Sequence, residues 1–270
     1  MCEALGVSKG GYYRWELFPK SRRAVENERL LFEIRCAYDR SRRTYGSPRI
    51  TADLNARGFS CSRPRIARMM RRHYIRAKTK RRYRITTHSK HNLPIARDLV
   101  KRQFVVLKPN TVWVSDITYI RTDEGWLYLA VVMDLYSRRV VGWAMKDRLY
   151  REIVMDAFQQ AVWRRKPARG LIFHSDHGSQ YASYEFRALV RKNKARSSMS
   201  RTGNCYDNAC MESLFKTFKT ELVYDEHYPT RKEAQKSIFE YFEVFYNSQR
   251  RHSLLGYKSP AEFEKASKVT

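Results

Sequence analysis

From Val112 to Lys146, three runs rich in Val, Ile, Tyr and Trp follow one another with only short turns between them. The runs are Val112–Arg121, Trp126–Asp134 and Arg139–Lys146, and Asp123-Glu124-Gly125 and Tyr136-Ser137-Arg138 supply the turns. Connections that short join antiparallel neighbours, so this stretch predicts a three-stranded meander. Beyond it the pattern alternates. Helices are predicted over Arg151–Arg164, Ser183–Lys192 and Asp207–Leu222, with strands over Leu171–Ser175 and Ala195–Ser200 between them. The order βββαβαβα predicts an α/β domain, a mixed five-stranded sheet with helices on both faces. A last helix over Arg231–Gln249 carries Ile238, Tyr241, Phe242 and Phe245, and Ser259-Pro260-Ala261-Glu262 opens a capped short helix.

Upstream the texture is different. Val7-Ser8-Lys9-Gly10-Gly11-Tyr12-Tyr13-Arg14-Trp15 reads as a turn, a Ser cap and a short helix, like the second half of a helix-turn-helix without its first. Helical spacing then predicts Val25–Arg40, Ser47–Arg57 and Ser62–His73, with breaks at Tyr45-Gly46 and Gly58. Arg63, Arg65, Arg68, Arg71 and Arg72 decorate the last of these, which suits a helix-turn-helix reading a DNA groove or its phosphates; the bland alternative is a solvated basic helix in a small bundle. Arg76–Asn92 is almost devoid of apolar residues and reads as a linker lying against phosphates. The expected division is therefore a partial helix-turn-helix at 1–22, a small all-α basic domain at 23–75, a basic linker at 76–108, the sheet-bearing core at 109–228 and a helical extension at 229–270.

Charge narrows the partner. The chain carries +27, and residues 1–108 hold 28 Lys+Arg against 8 Asp+Glu. A polyphosphate gains most from that asymmetry, because each neutralised phosphate releases condensed counterions. No apolar run approaches a membrane span, no signal-peptide core follows Met1, and no amphipathic basic stripe or lipidation motif supports a membrane surface, so a cytoplasmic protein is expected. Five cysteines without a C-x-x-C pair disfavour disulfides and zinc, and His88 and His91 read as surface histidines.

Three carboxylates stand out. Asp116 interrupts a run otherwise suited to a buried strand, where an unpaired carboxylate is costly. Asp176 ends the next strand just before Gly178, where open α/β sheets place ligands, though a turn-forming Asp would look the same. Glu212 lies one turn into the helix for which Asp207 is read as N-cap, and alone it would pass for a surface Glu. Together they can converge across the sheet. Bare carboxylates about 4 Å apart repel by about 4 kcal/mol at an effective dielectric near 20. A hard divalent cation, Mg²⁺ or Mn²⁺ and two per site, removes that penalty and promotes in-line displacement at phosphorus without a side-chain nucleophile. Lys216 and Lys219 fall on the Glu212 face of the helix and are expected to meet phosphate, with Glu221 turned away to the surface.

With these residues in hand, the sequence resembles the OrfB product of the insertion sequence three family of transposases and, more distantly, the retroviral integrases. The resemblance rests on Trp113–Tyr119, Asp134–Arg138, His174–Tyr181, Ser198–Ala209, Tyr246–His252 and Leu255–Pro260, in order, and on the 35 residues between Asp176 and Glu212. It implies an RNase H-like integrase catalytic core and a catalytic, metal-holding triad of Asp116, Asp176 and Glu212. It also implies cleavage at the terminal inverted repeats of a mobile element and strand transfer into target DNA by the freed 3′-hydroxyl. Arg201 joins the expected DNA contacts, and Asp134, His174, His177 and Asn208 are expected around the triad, with a turn or an ion pair to Arg138 or Arg139 as the alternative for Asp134. The resemblance further implies a homo-oligomer on DNA and an upstream OrfA product as partner or frameshift fusion. The rivals are a non-catalytic repressor using the basic N-terminal half and a cellular nuclease of the same fold.

Overall fold

The computed structural model describes residues 1–18, 20–78, 95–200 and 205–267. Most of the Arg76–Asn92 linker, with His88 and His91, and also Arg201, lie outside the described residues. The chain divides into two compact units, Met1–Lys78 and Thr79–Thr270.

The first unit is helical. Its helices are α1 (Lys9–Leu17), α2 (Arg22–Arg40), α3 (Ser47–Ala56) and α4 (Arg63–Arg72). Ser8 caps α1 by accepting from the Gly11 N–H, and Ser21 caps α2 from Ala24. Leu30, Ile34, Ala37, Ile50, Leu54, Ile66 and Met70 form the core where α2, α3 and α4 meet, whereas α1 buries none of its residues. On α4, Arg63, Arg68, Arg71 and Arg72 are exposed. Arg65 departs from the expectation of a fifth outward cation. It turns back to α2, where its Nη2 donates to Asn27 Oδ1 at 2.8 Å and lies 3.4 Å from Glu26.

The second unit is built on a five-stranded sheet of order β3-β2-β1-β4-β5. Its strands are β1 (Val112–Thr122), β2 (Gly125–Asp134), β3 (Val140–Lys146), β4 (Ile172–Ser175) and β5 (Arg196–Met199). The first three are antiparallel, as short turns demand, and β4 and β5 add in parallel after helical crossovers. One face packs on α5 (Glu152–Arg165), the short α6 (Ser179–Ala182) and α7 (Tyr184–Lys192), through Trp113, Ala130, Val132, Phe158, Phe173, Tyr181 and Phe186. Gly142 sits where β3 and α5 nearly touch; a Cβ there would lie 2.3 Å from the Ala157 carbonyl oxygen.

The other face is covered by α8 (Ala209–Glu221) and α9 (Arg231–Phe239). The predicted single helix over Arg231–Gln249 widens at Glu240–Tyr246 into a π-helical stretch, with Asn247 and Arg250 donating five residues back to Phe242 and Phe245. The wider turn brings Tyr241, Phe242, Phe245 and Tyr246 all into the interior, against Phe218 of α8. The short helix α10 (Pro260–Ser267) opens on a reciprocal capping box, Ser259 with Glu262.

Glu221 corrects a sequence expectation. It is buried, with both oxygens engaged by Arg250 at 2.7 Å and one also accepting from Tyr241 Oη at 2.8 Å. Helical arithmetic placed it opposite Glu212, but that side of α8 faces the aromatic layer rather than solvent. Removing one partner of such a pair strands the other charge in a poorly solvated site. Glu221→Ala should therefore cost about 3–5 kcal/mol, measurable as a drop in the urea midpoint, whereas a surface glutamate would leave it unchanged.

Candidate active site

Strand register brings the first two carboxylates level. In the parallel pair, Val112, Trp113 and Val114 oppose Ile172, Phe173 and His174. Carried two residues past the last pair and one past the end of β4, the same offset sets Asp176 beside Asp116, close enough for its charge to act on that carboxyl. Both are half-buried. The Asp116 carboxylate accepts from its neighbour's N–H (Ile117, 2.7 Å), and Asp176 accepts from the Gly178 N–H at 3.0 Å. Burial, then the charge of Asp176 and that of Glu212, push the Asp116 carboxyl well above the usual carboxylate range, against the lowering pull of the Ile117 N–H and the Lys219 ammonium. Glu212 is exposed in the first turn of α8, and partial desolvation raises it too.

Several contacts hold this arrangement. Asn208 precedes α8 and donates from Nδ2 to the Ser115 carbonyl at 3.3 Å, which ties the start of the helix to the strand of Asp116. His174 is fully buried; its Nε2 lies 3.0 Å from the Asp207 carbonyl and its Nδ1 2.8 Å from Ser198 Oγ. A carbonyl only accepts, so Nε2 carries the proton and Nδ1 accepts from Ser198. Burial lowers the pKa of this ring, in keeping with a neutral imidazole. His177 is buried beside Asp176. Asp207 is not the expected N-cap. It is buried and ion-paired with Arg102 at 2.8 Å.

Two expected neighbours lie elsewhere. Asp134 opposes Trp113, an odd number of residues from Asp116, so it projects from the other face of the sheet. There it accepts from the Asn110 and Tyr136 N–H groups and lies 3.4 Å from Arg165, a partner other than Arg138 or Arg139. Lys216 is exposed as expected, but Lys219 is buried, with its ammonium 5.0 Å from the Tyr119 ring centre and within electrostatic reach of Asp116. Sequence reasoning missed Tyr181, whose hydroxyl pairs with Ser115 Oγ at 2.8 Å and whose pKa is raised by burial and by both aspartates. Its place at the end of the His174–Tyr181 block was the available signal.

The donor set fits a hard cation in chemistry: carboxylate oxygens alone, two of them level across adjacent strands. Among the described residues, no three His, Cys, Asp or Glu side chains stand close enough together to hold a metal ion as they are.

A carboxylate-bearing mixed sheet with a basic helical unit defines a protein that acts on polynucleotide phosphates, and comparison with known proteins agrees. Family models for an integrase core domain match residues 107–205 and 212–267, and one for an HTH-like domain matches 26–83. The chain is 46% identical over 263 residues to the insertion element IS600 uncharacterized 31 kDa protein of Shigella sonnei, covering 97% of each. It is 42% identical over 270 residues to the transposase InsF for insertion sequence IS3A of Escherichia coli strain K12, covering 98% of this chain and 92% of that one. Among solved structures it is similar to the simian T-cell lymphotropic virus intasome in complex with a PP2A regulatory subunit, at TM-score 0.48 and 16% identity over 79% of this chain and 69% of that one. The chain belongs to the IS3 family of transposases, proteins of DNA transposition and integration with polynucleotidyl transferase chemistry.

Burial and the charges of Asp176 and Glu212 make an ionised Asp116 a burden on the fold in chelator. Because the Asp116 pKa is raised, the burden is absent in acid and grows as pH rises past the ordinary carboxylate range. Asp116→Asn should therefore raise the melting temperature of chelator-treated protein at neutral pH, by about 2–4 °C per kcal/mol relieved. The gain should vanish at acid pH, and an unchanged or lower melting temperature at neutral pH would contradict the geometry.

Proposed function

We propose that Asp116, Asp176 and Glu212 are the catalytic and cation-holding residues with which this transposase cuts the inverted-repeat ends of its element and joins them to new DNA. The observation that carries this reading is that the charges of both Asp176 and Glu212 act on the Asp116 carboxyl, with Asp176 one residue past the strand that pairs with β1. Mg²⁺ or Mn²⁺, two per site, would neutralise the set, activate the attacking oxygen and stabilise the leaving one. Glu212, exposed one turn into α8, completes the set when DNA is bound. Asp116 presents its oxygens from a sheet strand and Asp176 from the first residue past one, held by the Gly178 N–H, so the scissile phosphate meets a positioned floor. Asn208 and the His174–Asp207 contact set where α8 begins, and hence where Glu212 projects. His177 flanks Asp176 from the same loop.

In the first step, water attacks the phosphorus at the element end, the bond to the leaving 3′-oxygen breaks, and that oxygen departs as a 3′-hydroxyl. In the second, this hydroxyl attacks a phosphodiester, forming one bond as another breaks, without external energy. Lys216 and Arg201 contact the phosphates beside the cut, and the 23–75 domain grips the end through Arg63, Arg68, Arg71 and Arg72. The 229–270 extension buttresses α8. The assembly is a homo-oligomer on DNA in the nucleoid, acting with an upstream OrfA product. No described helix is long and apolar enough to cross a membrane.

Asp116→Ala, Asp176→Ala and Glu212→Ala should each reduce Mg²⁺-dependent nicking and joining of labelled element ends to background, with DNA affinity retained. Cleavage surviving any one substitution removes that residue from the set. Separately, an Arg68→Ala, Arg71→Ala pair should lower the slope of log affinity against log salt by about 2. An unchanged slope would make α4 a solvated helix and not a DNA-reading one.

A further inference from the structure

Beyond Val114, β1 leaves the cover of its parallel neighbour, because β4 pairs only with Val112–Val114. The uncovered stretch forms one side of an open groove of about 360 Å³, lined among others by Tyr119, Arg121, Trp126, Lys219, Tyr224 and His227. That size lies within the range of small-molecule pockets, about 300–1,000 Å³. Its floor is aromatic and exposed: Tyr119 is 39% accessible, Trp126 46% and Tyr224 38%. The Tyr119 and Trp126 rings stand edge to face, 4.9 Å between centres, and the Lys219 ammonium lies 5.0 Å from the Tyr119 ring centre. Lys219 is the link to the chemistry, since the same ammonium acts electrostatically on Asp116.

Exposed aromatics in a concave site beside cations are poor at holding a duplex, whose bases already stack on one another. They suit a base that has left the stack, with its phosphate on the cations. His227 is engaged with Asp123 at 3.0 Å, and Glu226 also lies on the wall, so the exposed cation of the groove is Arg121, with the buried Lys219 ammonium behind the Tyr119 ring. Tyr119 is three residues from Asp116 along the strand, about 10 Å, and the odd step turns its ring to the other side of the open edge of β1, where Lys219 still reaches it.

We propose that this groove is a subsite for an unpaired nucleobase of the DNA strand being processed, stacked on Trp126 and Tyr119, so that the enzyme holds an end already parted from its complement. The proposal rests on the catalytic reading for its orientation, but its test does not need cleavage.

The full-length chain, in chelator, is titrated with a blunt fluorescein-labelled duplex and with the same duplex carrying a short unpaired thymidine tail. Wild type should bind the tailed probe more tightly. Trp126→Ala should weaken the tailed probe about tenfold and leave the blunt one unchanged, and Trp126→Phe should keep the discrimination. An unlabelled thymidine tail should also quench indole emission in wild type, and Trp126→Phe should remove that quench. Equal affinity of wild type for both probes, or quenching by the blunt duplex alone, overturns the proposal. So does Trp126→Ala weakening both probes alike. Tail discrimination without any Mg²⁺-dependent cleavage would sink the catalytic assignment and leave the groove standing; cleavage without discrimination would do the reverse.

Discussion

The repulsion between Asp116 and Asp176 sets the terms for this molecule. After burial it is the largest influence holding the Asp116 carboxyl up, and two carboxylates about 4 Å apart repel by about 4 kcal/mol at an effective dielectric near 20. A native domain has only about 5–15 kcal/mol of net stability. The sheet can therefore keep the pair level only because both of its faces are packed hard. Trp113, Phe158, Phe173 and Phe186 fill one side, and Phe218, Tyr241, Phe242 and Tyr246 fill the other. The Tyr181–Ser115 contact closes the first layer directly beneath the aspartates. The strain is local and the support is global, as in a site whose ligand is a cation and whose resting fold must survive without it.

The third carboxylate depends on a different set of constraints. Glu212 is positioned by α8, and α8 is held at both ends by residues distant in sequence. At its start, Asn208 reaches the Ser115 carbonyl and His174 fixes the Asp207 carbonyl. At its end, Glu221 is clamped by Arg250 and Tyr241 from the π-helical layer. Helix α9 thus packs over the same sheet face as α8, and the aromatic stripe of Tyr241, Phe242, Phe245 and Tyr246 packs against the C-terminal half of the helix that carries Glu212. A π-helical turn is an uncommon way to end a helix, and here it turns four aromatics inward where a regular helix would present fewer.

The sheet was legible because its pattern is local. Short turns dictate antiparallel neighbours, and β-branched and aromatic runs mark strands, so β1 to β3 are recovered to within a residue or so. Asp116 was legible for the same reason, as a carboxylate misplaced in a strand. What could not be read depended on partners far away. Glu221 and Glu212 look alike in sequence, and only the arrival of Arg250, 29 residues on, decides which is buried. Asp134 lies at a strand end that could point either way until the register with Trp113 sets its face. The π-helical widening leaves no periodicity signal distinct from a regular helix, and the Tyr119–Trp126 shelf exists only because β4 stops short.

The same lesson governs the chain's charge. A net +27 says that a polyanion is the partner, but not which cations meet it. Arg65 is turned onto Asn27, Arg102 onto Asp207, Arg165 onto Asp134 and Glu264, and Arg250 onto Glu221. These guanidiniums are structural, and their forked geometry suits internal carboxylates better than a lysine would. Lys219 is the informative exception. Burial lowers its pKa and Asp116 raises it, so its charge is sustained by the very carboxylate it helps to neutralise. A lysine held there moderates the field at the aspartates without occupying the place of a cation, and its other contact is the Tyr119 ring. Lys219 therefore stands both beside Asp116 and on the wall of the neighbouring groove, which couples whatever binds in that groove to the electrostatics of Asp116.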